Sequence, residues 1–243
     1  MKKIIYLDVG THLGQEFLSL WGKDIDFYIF ALRRLVGFYL FRRGDKFTIN
    51  ELLSIYNQRK LAKKNKKKFI FYFIEANSKI ISHADVYNQA DGVFNCAIKD
   101  DNEVDIIKLF IANNNNLSQG NSIYKTKPNI EENDFLPTLG ISSDHFFRIF
   151  KKNCDEVAKE YELILRVNCE GVEDSVIYSA HANFKEKLVL ILGSIKDVKY
   201  CKSPKAHDDL IAYIDKHRLS FVFFSPSPKS WLKAHKAITD RLI

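Results

Sequence analysis

Two acidic residues of the chain stand at the end of apolar runs that are typical of buried strands. Asp8 ends one run in IIYLDVGTHLGQE, and Glu75 ends another in KFIFYFIEA. A carboxylate at the carboxyl end of a strand can accept hydrogen bonds from the hydroxyl groups of a ligand such as a ribose. Gly10 and Gly14 follow Asp8, and glycine lets the backbone turn sharply and approach a ligand closely. The spacing therefore predicts a ligand site at the ends of two strands.

The turn after Asp8 has the pattern G-x-x-x-G, whereas a dinucleotide pyrophosphate needs G-x-G-x-x-G. The carboxylate of Asp8 would repel a pyrophosphate, but it would attract a ligand that carries an ammonium and a sulfonium group. S-adenosylmethionine is such a ligand, and Glu75 would then accept its ribose hydroxyls. The alternative is that the glycines only make a turn and that Glu75 is a solvated strand end. The two acids at successive strand ends favour the adenosine ligand.

A third apolar run, LILRVNCEGVE, ends at a glycine that is flanked by Glu170 and Glu173. Acids are favourable at the start of a helix because of the helix dipole. Taken alone, the pattern is therefore also consistent with two solvated acids at a helix N-terminus.

The elements that would position these residues alternate between strand and helix along the chain. Apolar runs predict strands at residues 3–9, 68–76, 92–98, 162–169, 187–193 and 219–224. Helical spacing predicts helices at residues 14–21, 77–88, 144–160, 173–183 and 204–217. Such alternation indicates an α/β fold with a mostly parallel, doubly wound sheet. We expect one domain over residues 1–243, with a helical insertion at about 23–68 after the first βα unit and a polar loop at about 113–137.

The composition is typical of a globular protein, with 46% hydrophobic and 28% charged residues. The net charge of +7 permits an anionic partner but does not require one. The four cysteines lack the spacing of a zinc site, and reduced thiols in a cytoplasmic protein are the simplest interpretation. Residues 25–41 are apolar, but Arg33 and Arg34 interrupt them, so we expect an amphipathic helix and no transmembrane segment. Contact with a membrane surface is a lesser alternative.

Four segments resemble, in order, motifs of the FkbM family of class I S-adenosylmethionine-dependent methyltransferases. LDVGTHLGQE resembles the D-V-G-A-N-x-G opening, FIEAN the E-P-N segment, and ISSDHFFRIF the T-x-D-x-L stretch. LILRVNCEGVEDSVIYSA resembles L-K-I-D-x-E-G-x-E-x-x-V-L-x-G-A, which is the most specific of the four motifs. Together they span about residues 4–180. The resemblance implies a Rossmann-like class I methyltransferase fold.

The resemblance also implies the residues that would hold S-adenosylmethionine. These cofactor-binding residues are Asp8, Gly10, Thr11, His12, Gly14, Glu75, Asn77, Ala97, Ile98 and Asn168. An alcohol is a weak nucleophile, so a general base beside it would assist methyl transfer. Glu170 is the favoured base because it follows the strand that faces the transferred methyl group, and Asp144 and His145 are further candidates. No metal is implied.

The chain departs from the family pattern at four positions within these motifs. Thr11 and His12 stand where the family has Ala and Asn, and Ala76 replaces the proline after the acid. Asn168 replaces an Asp, so this position cannot supply a carboxylate base.

The resemblance implies an O-methyltransferase that acts on a hydroxyl of a sugar, a glycan or a small molecule. The basic run RKLAKKNKKK (residues 59–68) suggests a nucleic-acid methyltransferase as an alternative, although a solvated helix end is the simpler interpretation and a nucleic-acid partner is not favoured. Because of Asn168 and His12, a catalytically silent binding protein is another alternative. The helical insertion could be a lid, an acceptor platform or the surface of a homodimer.

Overall fold

A computed structural model describes residues 2–41, 48–112, 120–224 and 227–242. The chain divides into two compact units. Unit 1 comprises Met1–Leu13 and Lys68–Phe221, and unit 2 comprises Gly14–Lys67 and Val222–Ile243. The single domain expected from the sequence stays a prediction.

The larger sheet has six strands. In spatial order they are β3 (Gly92–Phe94), β2 (Phe69–Ile74), β1 (Lys3–Val9), β7 (Tyr161–Val167), β8 (Leu188–Gly193) and β9 (Phe221–Phe223). The pairings of β1 with β2 and β7, of β2 with β3, and of β7 with β8 are parallel. The chain therefore has the α/β architecture with a parallel sheet that the sequence predicts, which is compatible with a Rossmann-like fold.

The central strands are buried on both faces. All six residues of β2 and six of the seven residues of β1 are buried, as their uninterrupted apolar sequences predict. From β1 the chain continues outward to β2 and β3, and it later returns to β7 on the opposite side of β1. In open α/β sheets, a crevice forms at the carboxyl ends of the strands where the strand order reverses in this way.

Five helices connect these strands within the described residues of unit 1. They are α4 (Ser78–His83), α5 (Ser143–Val157), α6 (Glu173–Phe184), α7 (Asp197–Cys201) and α8 (Pro204–Lys216). α5 buries Phe146, Phe150 and Cys154 at helical spacing, and Phe150 packs edge-on against Tyr72 of β2. The sequence did not predict α7, because five residues are too few to show a helical period.

A second, smaller sheet has the strand order β4-β6-β5, with β4 at Ala97–Lys99, β6 at Ile130–Ser142 and β5 at Val104–Ala112. The predicted strand at 92–98 is thus split between two sheets. The predicted loop at 113–137 is wrong from residue 130 onward, and residues 113–119 lie outside the described part. Antiparallel pairing with β5 makes 130–142 a strand although it carries acids, a proline and a glycine, which disfavour strands in isolation.

Unit 2 is helical, as predicted for the insertion. It contains α1 (Gln15–Trp21), α2 (Asp24–Phe41), α3 (Ile49–Lys64) and α9 (Pro228–Thr239), and α3 contacts both α1 and α9. Thr48 and Glu51 form a reciprocal capping box at the start of α3. The sequence analysis did not predict α9.

The basic run at 59–68 begins with an arginine that is not on the surface. Arg59 is 1% exposed, and its guanidinium lies 4.4 Å from the ring centroid of Phe27. It donates hydrogen bonds to the carbonyl oxygens of Leu18 (3.1 Å), Ser19 and Gly22 (2.9 Å) at the end of α1. The interpretation of the whole run as a solvated helix end is therefore wrong for Arg59, which caps α1 instead.

One face of α2 exposes large apolar side chains. These are Ile25, Tyr28, Ile29, Leu32 and Val36, which share one side of a helix. Among the helices of the described residues, none is both long enough and apolar enough to cross a membrane. The homodimer expected through the insertion stays a prediction, and this face is where it would form.

If the homodimer forms through α2, Leu32→Glu should weaken it at least about tenfold, because a carboxylate would be buried without a partner in the interface. Sedimentation velocity over a concentration series measures the dissociation constant. The matched control is Val157→Glu, which introduces the same charge at an exposed apolar position of unit 1. A wild-type chain that is monomeric at all concentrations, or equal effects of both variants, would contradict the prediction.

Candidate functional site

Three strand exits meet at the carboxyl edge of the larger sheet, where the strand order reverses. The exit of β1 consists of residues 10–12, that of β2 of residues 75–77, and that of β7 of residues 168–172. Most of the predicted site residues of unit 1 lie on these exits. Gly14 belongs to unit 2, where it precedes α1 with a left-handed backbone (φ 63°).

Asp8 is held by an arginine of the neighbouring strand. Arg166 of β7 is directly opposite Asp8 in the parallel register, and its Nη1 lies 2.8 Å from Oδ1 of Asp8. The two residues are 2% and 0% exposed. The same Nη1 donates to the carbonyl oxygen of Gly10 at 2.6 Å. A ligand could therefore reach the Asp8 carboxylate only if Arg166 or the turn moved, and the charge that would attract a sulfonium is already compensated.

The turn after β1 requires glycine because it packs closely against neighbouring backbone. Gly10 has φ 78°, and a Cβ there would lie 2.2 Å from the carbonyl oxygen of Asn168. The backbone N–H groups of Gly10 and Thr11 both donate to the carbonyl oxygen of Ile74. His12 follows with a left-handed φ of 50°. The exits of β1, β2 and β7 are thus packed backbone against backbone.

Glu75 joins the exits of β1 and β2. Its Oε2 accepts from the backbone N–H of His12 at 2.7 Å, and its Oε1 accepts from that of Asn77 at 2.8 Å. The residue is 7% exposed. Burial raises the pKa of the Glu75 carboxyl, and the two backbone N–H groups lower it less than burial raises it.

A tyrosine that was not predicted from the sequence contacts the exit of β1. The hydroxyl of Tyr87 donates to the carbonyl oxygen of His12 at 2.6 Å. Burial raises the pKa of Tyr87, and the charges of Glu75 and Asp8 raise it further. The Asp8 carboxylate is therefore engaged by Arg166, and the Glu75 carboxylate by the backbone N–H groups of His12 and Asn77. Their convergence on one ligand stays a prediction.

The remaining predicted cofactor residues have different surroundings. The side chain of Asn77 accepts from the backbone N–H of Lys79 and caps α4. Ala97 and Ile98 are buried in β4. Asn168 is half-buried, and within the described part of the chain its side-chain amide makes no hydrogen bond. Of these four, Asn168 has the side chain most available to a ligand.

The exit of β7 is closed by two acids with different partners. The carboxylate of Glu173 is fully buried and accepts from the backbone N–H groups of Cys169 and Gly171, each at 3.0 Å. Glu170 has a left-handed backbone (φ 62°), and its Oε2 is ion-paired with Lys127. Burial raises the pKa of Glu170, and Lys127 lowers it. The interpretation of both acids as solvated is therefore wrong for Glu173.

The three predicted catalytic residues are not joined by contacts. Asp144 is exposed in the first turn of α5. The Nδ1 of His145 lies 3.0 Å from an Arg148 nitrogen of the same helix. Among the described residues, neither side chain contacts Glu170, which leaves Glu170 as the candidate base at the strand exits.

No protein-family model, curated protein or solved structure matches this chain. Strand topology and the contacts above therefore define the candidate site, and membership of the FkbM family stays a prediction.

Sequence reasoning missed Arg166, Tyr87 and Lys127. A signal for Arg166 was present, because a lone cation inside an apolar parallel strand must find a buried acid, and Asp8 is the acid in the equivalent place of β1. Lys127 carries no such signal, since it lies among polar residues that resemble a loop.

The buried Glu173 should make stability depend on pH. Burial raises its pKa to about 7 from an ordinary value of 4.5. Between these pH values the Glu173 carboxyl is ionised mainly in the unfolded state. The free energy of unfolding should therefore fall by up to about 3 kcal/mol as the pH rises through this window. Urea unfolding at several pH values between 5 and 7.5 measures the slope. Glu173→Gln should make the slope of the unfolding free energy against pH less negative.

The control for this measurement is Glu186→Gln, which removes an exposed carboxylate and should leave the slope unchanged. Burial lowers the pKa of His235 to about 3, which gives a slope of opposite sign, but His235 is present in all three proteins. Only the difference between the proteins is therefore informative. Equal slopes for wild type and Glu173→Gln would contradict the assignment.

Proposed function

We propose that the chain is an S-adenosylmethionine-dependent O-methyltransferase of the FkbM-like, class I type, which acts on a hydroxyl of a sugar, a glycan or a small molecule. The observation that carries the proposal is the position of Glu75. It is a carboxylate at the exit of the strand next to the point where the sheet order reverses, and this is where α/β sheets bind nucleotide-like ligands.

The chemistry of Glu75 fits a ribose. An ionised carboxylate has about four acceptor positions, and the backbone N–H groups of His12 and Asn77 occupy one on each oxygen. Each oxygen therefore keeps one position, and two neighbouring ribose hydroxyls would use both. The same backbone bonds hold the carboxylate in place before a ligand arrives, which lowers the entropy cost of binding.

Asp8 does not fit the direct contact that the resemblance implies, because Arg166 occupies its carboxylate. Its role in the proposed site is indirect: with Arg166 it fixes the carbonyl of Gly10 and so the shape of the turn. Asn168 supplies the free polar group at this exit, and its amide would donate to a ligand carboxylate or accept from an ammonium group.

When bound, the cofactor would supply a methyl group on a sulfonium. Glu170 would accept the proton of the acceptor hydroxyl at its carboxylate while the hydroxyl oxygen forms the new bond to carbon. The products would be the methyl ether, the neutral thioether and a protonated Glu170. Positioning of the acceptor would provide much of the remaining rate enhancement.

A catalytically silent binding protein is the second candidate, and one observation favours it. The acids nearest the expected chemistry, Asp8 and Glu170, are each paired with a cation of the chain itself. In this case the site would bind a nucleoside or a partner without transferring a methyl group. Incubation with labelled methyl donor and a set of glycans, followed by mass spectrometry, separates the candidates, because only the enzyme labels an acceptor.

Titration calorimetry with S-adenosylhomocysteine tests the proposed cofactor site. We expect the wild type to bind and Glu75→Gln to bind at least about tenfold more weakly, because a glutamine amide cannot accept both ribose hydroxyls and its NH₂ faces a backbone N–H. Glu103→Gln removes an exposed carboxylate of the same unit and should bind like the wild type.

Thermal unfolding of each variant shows whether Glu75→Gln is folded when its binding is measured. No binding by the wild type would overturn the proposal. Equal affinities of folded Glu75→Gln and wild type would remove Glu75 from the site.

A further inference from the structure

Residues 120–129, which we name the strap, precede β6 and lie against the exit of β7. Ser122 is buried and pairs with Phe110 of β5 in an antiparallel bridge. Its hydroxyl donates to the carbonyl oxygen of Glu170 at 2.6 Å. The strap is therefore anchored to β5 at one end and touches the backbone of the candidate base.

Further contacts tie the strap to the surroundings of the same exit. Thr126 Oγ1 donates to the carbonyl oxygen of Cys201 at 3.2 Å, and the Tyr124 hydroxyl donates to Asp100 at 2.7 Å. Lys202 bridges Asp100 and Asp174 at 3.0 Å and 2.7 Å. These contacts join the strap to α7 and to the start of α6.

Lys127 makes the contact with the side chain of Glu170. Its side chain is 7% exposed, and its ammonium group donates to the carbonyl oxygen of Gly120 at 2.9 Å and forms the ion pair with Glu170. A Cβ at Gly120 would lie 3.2 Å from this nitrogen, so a larger residue would crowd it. A buried ammonium needs a counter-charge, and within the described residues the ion pair of Lys127 is with Glu170.

We propose that Lys127 is a positioning residue for the candidate base: it closes the strap over the exit of β7 and fixes the carboxylate of Glu170 in one place. This inference rests on the proposed function only for the role of Glu170 as the base.

The backbone of Glu170 needs such support. A left-handed φ in a residue other than glycine is strained and persists where the surroundings determine it. Ser122 Oγ and Cys201 Sγ hold its carbonyl oxygen, and Lys127 holds its carboxylate. The main chain and the side chain of Glu170 are therefore both fixed. The strap supplies two of these three contacts, through Ser122 and Lys127.

The charge of Lys127 also matters for the chemistry of a base. The charged groups that act most strongly on Glu170 are Lys127 of the strap, Asp197 of α7 and Arg166 of β7. Glu173 at the start of α6 also interacts with Glu170, whose charge raises the pKa of Glu173. Burial and Asp197 raise the pKa of Glu170, whereas Lys127 and Arg166 lower it. Without Lys127 the carboxyl would hold its proton to higher pH, so a smaller fraction of Glu170 would be ionised and able to accept a hydroxyl proton.

The test uses the full-length chain and four variants. Lys127→Met removes the charge, Lys127→Arg keeps it, and Lys125→Met removes an exposed lysine two residues away whose nearest acid is 3.9 Å distant. Ser122→Ala removes the contact with the Glu170 carbonyl but leaves the ion pair. Hydrogen exchange by mass spectrometry reports opening of residues 120–129 and 168–172, and carboxyl carbon NMR, assigned with Glu170→Gln, reports the pKa of Glu170.

In Lys127→Met, we expect the backbone amide hydrogens of residues 120–129 and 168–172 to exchange about tenfold faster than in the wild type. We also expect the pKa of Glu170 to rise. Lys127→Arg and Lys125→Met should resemble the wild type. Ser122→Ala should exchange faster without raising the pKa of Glu170, which separates loosening from loss of charge. If Lys127→Met leaves exchange and the pKa of Glu170 unchanged, or if Lys125→Met has the same effects, the inference is overturned.

Binding of S-adenosylhomocysteine distinguishes this inference from the proposed function. Binding by the wild type together with an unchanged strap in Lys127→Met overturns the positioning role and leaves the proposed function in place. Absence of binding overturns the proposed function, and with it the role of Glu170 as a base that Lys127 could position.

Discussion

The carboxyl edge of the sheet depends on one buried ion pair. A charged residue within a central parallel strand is strongly destabilising unless an opposite charge is beside it. Asp8 and Arg166 meet this condition because they occupy opposite positions of β1 and β7, one residue before the strands end. The pair therefore fixes the relative position of the two strands where the strand order reverses. Since Arg166 also holds the carbonyl of Gly10, the direction of the turn after β1 follows from the same interaction.

The other exits repeat this principle with carboxylates that accept backbone N–H groups. Glu75 bonds the exits of β1 and β2 to each other, and Glu173 bonds the loop after β7 to the start of α6. Both acids are buried, so their hydrogen bonds are strong and their loss would be costly. If the proposed function holds, an edge held in this way would already be organised before a ligand binds. The remaining acceptor positions of Glu75 and the side-chain amide of Asn168 would then be the groups that contact the ligand.

The sequence predicts the scaffold well because buried parallel strands have a distinctive composition. β1, β2, β7 and β8 are mostly apolar on both faces, and only a sheet covered by helices accommodates such runs. β6 escaped prediction because its pairing with β5, a tertiary contact, outweighs weak local propensity. The location of the acids at strand ends followed from the sequence, but their partners did not. Which cation reaches Asp8 or Glu170 depends on strand register and on the path of residues 120–129, neither of which has a local signal.

A double-mutant cycle on Asp8 and Arg166 tests most directly whether this pair holds the edge. The free energy of unfolding would be measured by urea for the wild type, Asp8→Asn, Arg166→Met and the double variant. We expect each single change to lower the free energy of unfolding by about 3–5 kcal/mol. The double change should lower it by at least about 2 kcal/mol less than the sum of the two single losses, because no uncompensated charge stays buried. Additive effects within about 0.5 kcal/mol would mean that the two charges do not depend on each other, and would contradict the account.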